Sequence, residues 1–217
     1  ARAHRRRGPV IPESLRIVDG GPGLQSLVGR AVGLDASASA RLRQIDDASV
    51  DVFVTTPFQV VASRRVSGEA SRDGAVVAAT DLLDALRAGA SEIGPARDPN
   101  WPGALPPAAG FELVDTLPVQ VVRELADEGQ ALARQFSGPL GPPASLLDQT
   151  VITVEGEGRT AEVPMRMIFA CTALGLIPGF AAPIDVPRHL RVSTVGRWVR
   201  VDAPFGSVYR STSLSLF

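Results

Sequence analysis

The sequence predicts an α+β protein, mostly antiparallel sheet with packed helices, and room for two similar lobes. Three observations carry that prediction. Short β-branched and aromatic runs sit on either side of turn residues in 51–66 and again in 150–163, as hairpins do. Helical periodicity is interspersed with these hairpins rather than following each strand, so no parallel strand-helix-strand series is set up. The chain has 217 residues, 45% of them hydrophobic and 21% charged, enough for one sizeable core.

Taken in order, residues 1–12 read as a basic flexible tail and 13–217 as one globular unit, with lobes at 13–88 and 111–217 joined by a Pro/Gly-rich segment, 89–110. A short strand at 15–18 precedes a helix over 22–33, with Pro22 in its first turn and Leu24, Leu27, Val28 and Ala31 on one face. The run 51–66 reads as two antiparallel strands around a Thr-Pro break. A strand near 75–79 leads into a helix over 80–88, with Thr80 as N-cap and Gly89 as the stop. Five prolines mark 89–110 as irregular, and Trp101 gives it an anchor on the body of the protein. In the second half, a strand at 111–114 is followed by a helix capped by Asp115 or Thr116, with Val121, Val122, Leu125, Leu132 and Phe136 at helical spacing. A hairpin (150–155 and 161–163), a buried helix (165–176) and strands at 190–195, 198–202 and 207–210 complete the chain.

Composition excludes several chemistries. The chain has no lysine, as in a GC-rich genome, which removes Schiff-base chemistry, the phosphate-loop lysine and the kinase strand lysine. Its single cysteine, Cys171, lies in the apolar segment Met-Ile-Phe-Ala-Cys-Thr-Ala-Leu and reads as inert core. Two histidines, His4 and His189, are too few for a three-histidine metal site, and neither a metal nor another cofactor is expected. No apolar stretch approaches the roughly 20 residues of a membrane span, and none follows the basic N-terminus as a signal peptide would, so the expected setting is the cytoplasm without membrane association.

Two stretches are candidate sites. Arg16-Ile-Val-Asp-Gly-Gly-Pro-Gly-Leu-Gln-Ser-Leu27 approximates a dinucleotide fingerprint through Gly21, Gly23 and Ser26, where glycines and a helix start can cradle a phosphate. The other reading is a tight turn with a proline helix start. The short preceding strand and the lost amide of Pro22 favour the turn. The C-terminal stretch 188–210 interleaves arginines with Trp198, Phe205 and Tyr209, as in surfaces that neutralise phosphates and stack on bases. Alternation qualifies this: in an extended 197–202, Trp198, Arg200 and Asp202 face one way and Arg197, Val199 and Val201 the other. Trp101, Arg197, Trp198, Arg200 and Tyr209 are the residues singled out for a nucleic acid or protein partner. The acidic sets Asp46, Asp47, Asp51 and Glu124, Asp127, Glu128 read as a solvated turn and an ion-paired helix face.

Trp101-Pro-Gly-Ala-Leu-Pro-Pro107, Gly110-Phe-Glu-Leu-Val-Asp-Thr-Leu-Pro118 and Arg197-Trp-Val-Arg-Val-Asp-Ala-Pro-Phe-Gly-Ser-Val-Tyr209 resemble an uncharacterised conserved protein family of high-GC actinobacteria. The resemblance implies a bacterial cytoplasmic protein and carries over no catalytic residue. The function expected is binding or assembly, with a protein partner or a second copy of the chain. The alternatives are nucleic-acid binding through the C-terminal stretch and a nucleotide-binding or carboxylate/His189-dependent enzyme.

Overall fold

The computed structural model describes residues 10–139 and 141–212, so most of the expected basic tail, His4 included, lies outside the described residues. The first half runs β1 (Pro12–Asp19), α1 (Gly21–Leu34), β2 (Ser39–Gln44), β3 (Ser49–Thr55), β4 (Val61–Ala70), β5 (Val76–Ala78), α2 (Ala79–Ala88) and β6 (Glu92–Pro95). The second runs β7 (Glu112–Pro118), α3 (Val119–Phe136), the short α4 (Ala144–Leu147), β8 (Thr150–Gly156), β9 (Arg159–Pro164), α5 (Met165–Ala173), β10 (His189–Val195), β11 (Trp198–Ala203) and β12 (Gly206–Ser211).

Among the described residues one antiparallel sheet follows the path β5-β2-β3-β4-β12-β11-β10-β7, with β1 added beside the far end of β4 and β6 beside β1; β8 and β9 form a separate hairpin. The fold is α+β with a large antiparallel sheet, as the hairpin pattern predicts. Its two halves join where β12 pairs with β4 through Ser207↔Ser63, Val208↔Ala62 and Tyr209↔Val61. The halves are not a tandem repeat. The first reads β-α-β-β-β then β-α-β, and the second reads β-α-β then β-α-β-β-β, so the path is mirrored about the β4–β12 pair.

The helices cover one face of the sheet because their apolar stripes and the alternate residues of the strands require it. Leu24, Leu27, Val28 and Ala31 of α1 pack over Val50, Val52 and Val54 of β3, and α5 is buried almost all round, from Met165 to Cys171. Gly129 of α3 leaves room for Met165 and Phe169 of α5 to approach. Burial raises the Cys171 thiol pKa to about 12, which fits inert core.

Some local expectations are corrected. Asp115 and Thr116 do not cap a helix: they belong to β7, opposite Val192 and Arg191 of β10, and the helix begins at Val119 after Pro118. Ladder pairing carried through to His189↔Pro118 wins over capping propensity, and an extended Pro118 cannot continue the strand. Thr80 lies inside α2, whose N-cap is Ala78, while Gly89 closes that helix in the left-handed region. The expected irregular segment contains β6, paired with β1. Strand β2, which sequence periodicity did not reveal, lies between β5 and β3.

Candidate partner-binding groove

On the face away from the helices, alternate residues of the same strands are arginine, aspartate and aromatic. Phe53, Val76, Trp101 and Tyr209 form a second buried cluster, with Val61, Leu105, Phe111 and Trp198 packed against it. Segment 96–111 lies across this face as a strap. Trp101, 8% exposed, is its anchor, with the Arg41 guanidinium 6.0 Å from the indole centroid. Arg43 Nη1 donates to the Pro106 carbonyl at 2.5 Å and Arg200 lies 4.4 Å over the Phe111 ring. Arg65 Nε and Nη2 donate to the two oxygens of the buried Asp51, and Arg200 Nε donates to Asp202 at 2.9 Å. Burial raises the pKa of Tyr209, whose hydroxyl oxygen is the acceptor for Ser63 Oγ at 3.5 Å.

Beside the strap opens a cavity of about 600 Å³, between Pro102–Ala104, Gln59–Val61 at the start of β4, the Tyr209–Ser211 end of β12, Trp198, and the first turn of α5. A second cavity, about 700 Å³, continues past Trp198 to Arg159–Glu162 of β9 and the start of β7. Both are lined by Arg197, Trp198 and Arg210, so together they make one groove alongside the junction of the two halves.

The polar groups of the groove come from distant parts of the chain. Arg166, 5% exposed, donates from Nη1 to the Phe58 carbonyl at 2.6 Å and to Gln59 Oε1 at 3.3 Å, and from Nη2 to Asp148. Its Nε is buried without a hydrogen-bond partner among the described residues. Arg210 Nη2 lies 4.0 Å from the same Asp148 oxygen, and burial followed by the Arg166 charge pulls the Arg210 pKa below the ordinary arginine range. At the other end Arg159 is ion-paired with Glu112.

The structure thus brings Arg197, Trp198 and Tyr209 together in the groove, with Trp101 and Arg200 on the adjoining outer face. Arg197 sits in the β10–β11 turn, and its carbonyl accepts from the backbone N–H of Thr212 at 2.9 Å. From Trp198 to Asp202 the alternation follows the sequence expectation, with Val199 and Val201 in the helix-side core. Gly21, Gly23 and Ser26 are not brought together. Gly20 takes the left-handed conformation before α1 and Pro22 occupies its first turn. Gly21 lines an apolar-walled cleft of about 390 Å³, while a Cβ on Gly23 would meet the Arg64 guanidinium at 2.3 Å. These two positions lie about 200° apart around the helix, and Ser26 is exposed on its outer side.

Sequence reasoning missed Arg166, Asp148 and Gln59, since no local pattern links them, and Arg210 entered only as one arginine of the stretch 188–210. One signal was present: Arg166 interrupts a segment otherwise apolar on every side, and a charge in such a place needs partners. For catalysis, the described residues hold no group of three metal-ligating side chains, and His189 is exposed at the start of β10 beside Pro118. No helix among them is long and apolar enough to cross a membrane.

Residues 106–215, half of the chain, match the family model described as Domain of unknown function (DUF8185), and residues 13–103 match the model described as Domain of unknown function (DUF8010). The boundary between the two falls in the strap. No curated protein matches the chain by sequence. Among solved structures it is similar to the DNA polymerase sliding clamp of Bacillus subtilis (TM-score 0.57, 8% identity, covering 95% of this chain and 66% of that one). It is also similar to the DNA polymerase III subunit beta of Pseudomonas aeruginosa (0.56, 12%, 94% and 66%) and to the sliding clamp of Bartonella birtlesii bound to griselimycin (0.55, 11%, 94% and 66%). The chain spans just under two thirds of the length of these clamps, and identities of this size carry the fold alone.

Proposed function

This chain belongs to the DUF8185 family, and from that premise we propose that it is a non-enzymatic assembly module: a clamp-like pair of lobes that self-associates and seats a segment of a protein partner in the groove beside their junction. The observation that carries this reading is the half-buried Trp198, flanked by Arg197 and Arg210, in a groove assembled from both halves of a sliding-clamp fold. Aromatic and arginine side chains in a desolvated concavity are the residue types that dominate binding energy at protein interfaces. The sheet path ends at β5, whose edge the strap covers through Arg97 and Asp98, and at β7, a strand edge that a second copy can extend. Cytoplasm of a high-GC actinobacterium is the proposed setting, on the lysine-free composition and the resemblance noted above.

Charge favours a protein partner over nucleic acid. The outer surfaces of α1, α2 and α3 carry Arg30, Arg87, Arg123 and Arg134 against Asp81, Asp84, Glu124, Asp127 and Glu128, a balance unsuited to neutralising phosphates. On the other face, Arg65 and Arg200 are already paired with Asp51 and Asp202. Sedimentation velocity over a range of concentrations, with and without a 20-base-pair duplex, tests the reading. The expected result is a concentration-dependent rise in mass and no cosedimenting DNA at physiological salt. DNA binding that weakens steeply with added salt would replace it with the nucleic-acid reading.

A further inference from the structure

The geometry points to a partner segment that presents a carboxylate next to an apolar side chain, the carboxylate meeting Arg166 and Arg210 at the strap end of the groove and the apolar group lying against Trp198. This rests on the groove being the partner site. The cavity there is lined by Arg166, Arg197 and Arg210 but by one carboxylate, Asp148, in a chain whose overall net charge is −1. Asp148 serves two guanidiniums at once, one of them 95% buried. Charge withdrawn from water is costly unless it is paired, and a planar guanidinium pairs best with a carboxylate. Depression of the Arg210 pKa by burial and by Arg166 reports the same unbalanced crowding.

The surroundings supply the rest of the recognition. The Arg210 side chain is partly exposed and Asp148 half-exposed, so a second carboxylate can reach Arg210 from solvent and approach Arg166 through the cavity they line. Val61, Tyr209 and Trp198 form an apolar wall beside them. At the β9 end the lining changes to the Arg159–Glu112 pair with Glu162. Positive charge therefore falls along the groove and fixes which way the segment lies. The cleft on the outer face is less unbalanced, since its three arginines, Arg64, Arg65 and Arg200, meet two aspartates, Asp51 and Asp202.

The test uses two tetrapeptides of equal size, Ac-Leu-Asp-Phe-Glu-NH2 and its amide analogue Ac-Leu-Asn-Phe-Gln-NH2, titrated into the whole chain at low and high salt while the Trp198 indole and Arg210 side-chain NMR signals are followed. The acidic peptide is expected to shift both signals and to bind about tenfold more tightly than the amide, with the difference shrinking as salt rises. Arg210→Ala should abolish that preference. Asp148→Asn should strengthen acidic-peptide binding about tenfold by removing the competing carboxylate, a gain that misfolding cannot imitate. Equal affinity for the two peptides at these same signals overturns the carboxylate inference and leaves the groove as a binding site. Failure of both peptides to perturb Trp198 or Arg210 at millimolar concentration overturns both.

Discussion

The two faces of the long sheet are built from the same strands and differ in nearly everything else. Towards the helices, Leu42, Val52, Val54, Ala62, Val201 and Val208 are at most 1% exposed and packed among aliphatic side chains. One residue along each strand, the other face offers Arg43, Asp51, Phe53, Ser63, Arg200 and Tyr209, held by ion pairs, a strap and stacked rings. The first face has no polar alternative and fixes the fold. The second buries Phe53 and Tyr209 under the strap and leaves Arg65, Arg200 and the neighbouring Trp198 partly exposed, where a partner can reach them. The same period of two residues divides the core from the proposed recognition surface.

That division can be broken from either side. Leu42→Ala on the helix face should cost the most, about 4 kcal/mol, through lost burial and a cavity between β2 and α2. Urea denaturation followed by Cys171 labelling measures it, because the buried thiol, its pKa near 12, stays unmodified until α5 unfolds. A cost below about 1 kcal/mol would mean that the helix face is not the principal core. On the other face, Asp51→Asn removes the carboxylate shared by Arg65 and, at 4.0 Å, Arg43. The expected loss is about 2 kcal/mol, less than for a wholly buried pair because the Arg65 side chain is 58% exposed. A change as large as that at Leu42 would erase the contrast between the faces.

The smallest effect is a pH dependence at the strap. Asp98 is held below the ordinary carboxylate pKa first by its hydrogen bond from Arg72 and then by the Val76 backbone N–H. Because the folded-state value is depressed, the stabilisation is complete above the unfolded value near pH 4 and drains away as the pH falls through the folded value. Asp98→Asn should flatten the acid limb of a melting curve taken against pH and leave the neutral region little changed. An alkaline limb altered to the same degree would contradict this assignment.

The parts of the molecule visible in the sequence follow the same contrast. Amphipathic or all-round apolar segments such as α1 and α5 were legible, because burial on the helix face leaves a periodic trace. Strand β2 was not, since Ser-Ala-Arg-Leu-Arg-Gln alternates small and charged residues whose outward arginines are covered by the strap. The limits of α3 were misplaced because β7 is defined by its pairing with β10, more than 70 residues away, and a long-range ladder leaves no local mark. Trp198 and Tyr209 could be nominated from residue type and spacing, whereas Arg166 and Asp148 enter the groove only through the fold. The mirrored order of the halves also hides their likeness from any search for a tandem repeat.

The central claim is that the groove, and not the helix layer, meets the partner. It is tested most directly by placing a photoactivatable amino acid at Ser211, in the groove, or at Arg87, on α2, and irradiating living cells that carry the protein. Discrete protein adducts from position 211 that disappear with Trp198→Ala, and none from position 87, are the predicted result. Adducts from position 87 alone, or crosslinks to DNA there, would contradict it and assign the helix layer as the working surface.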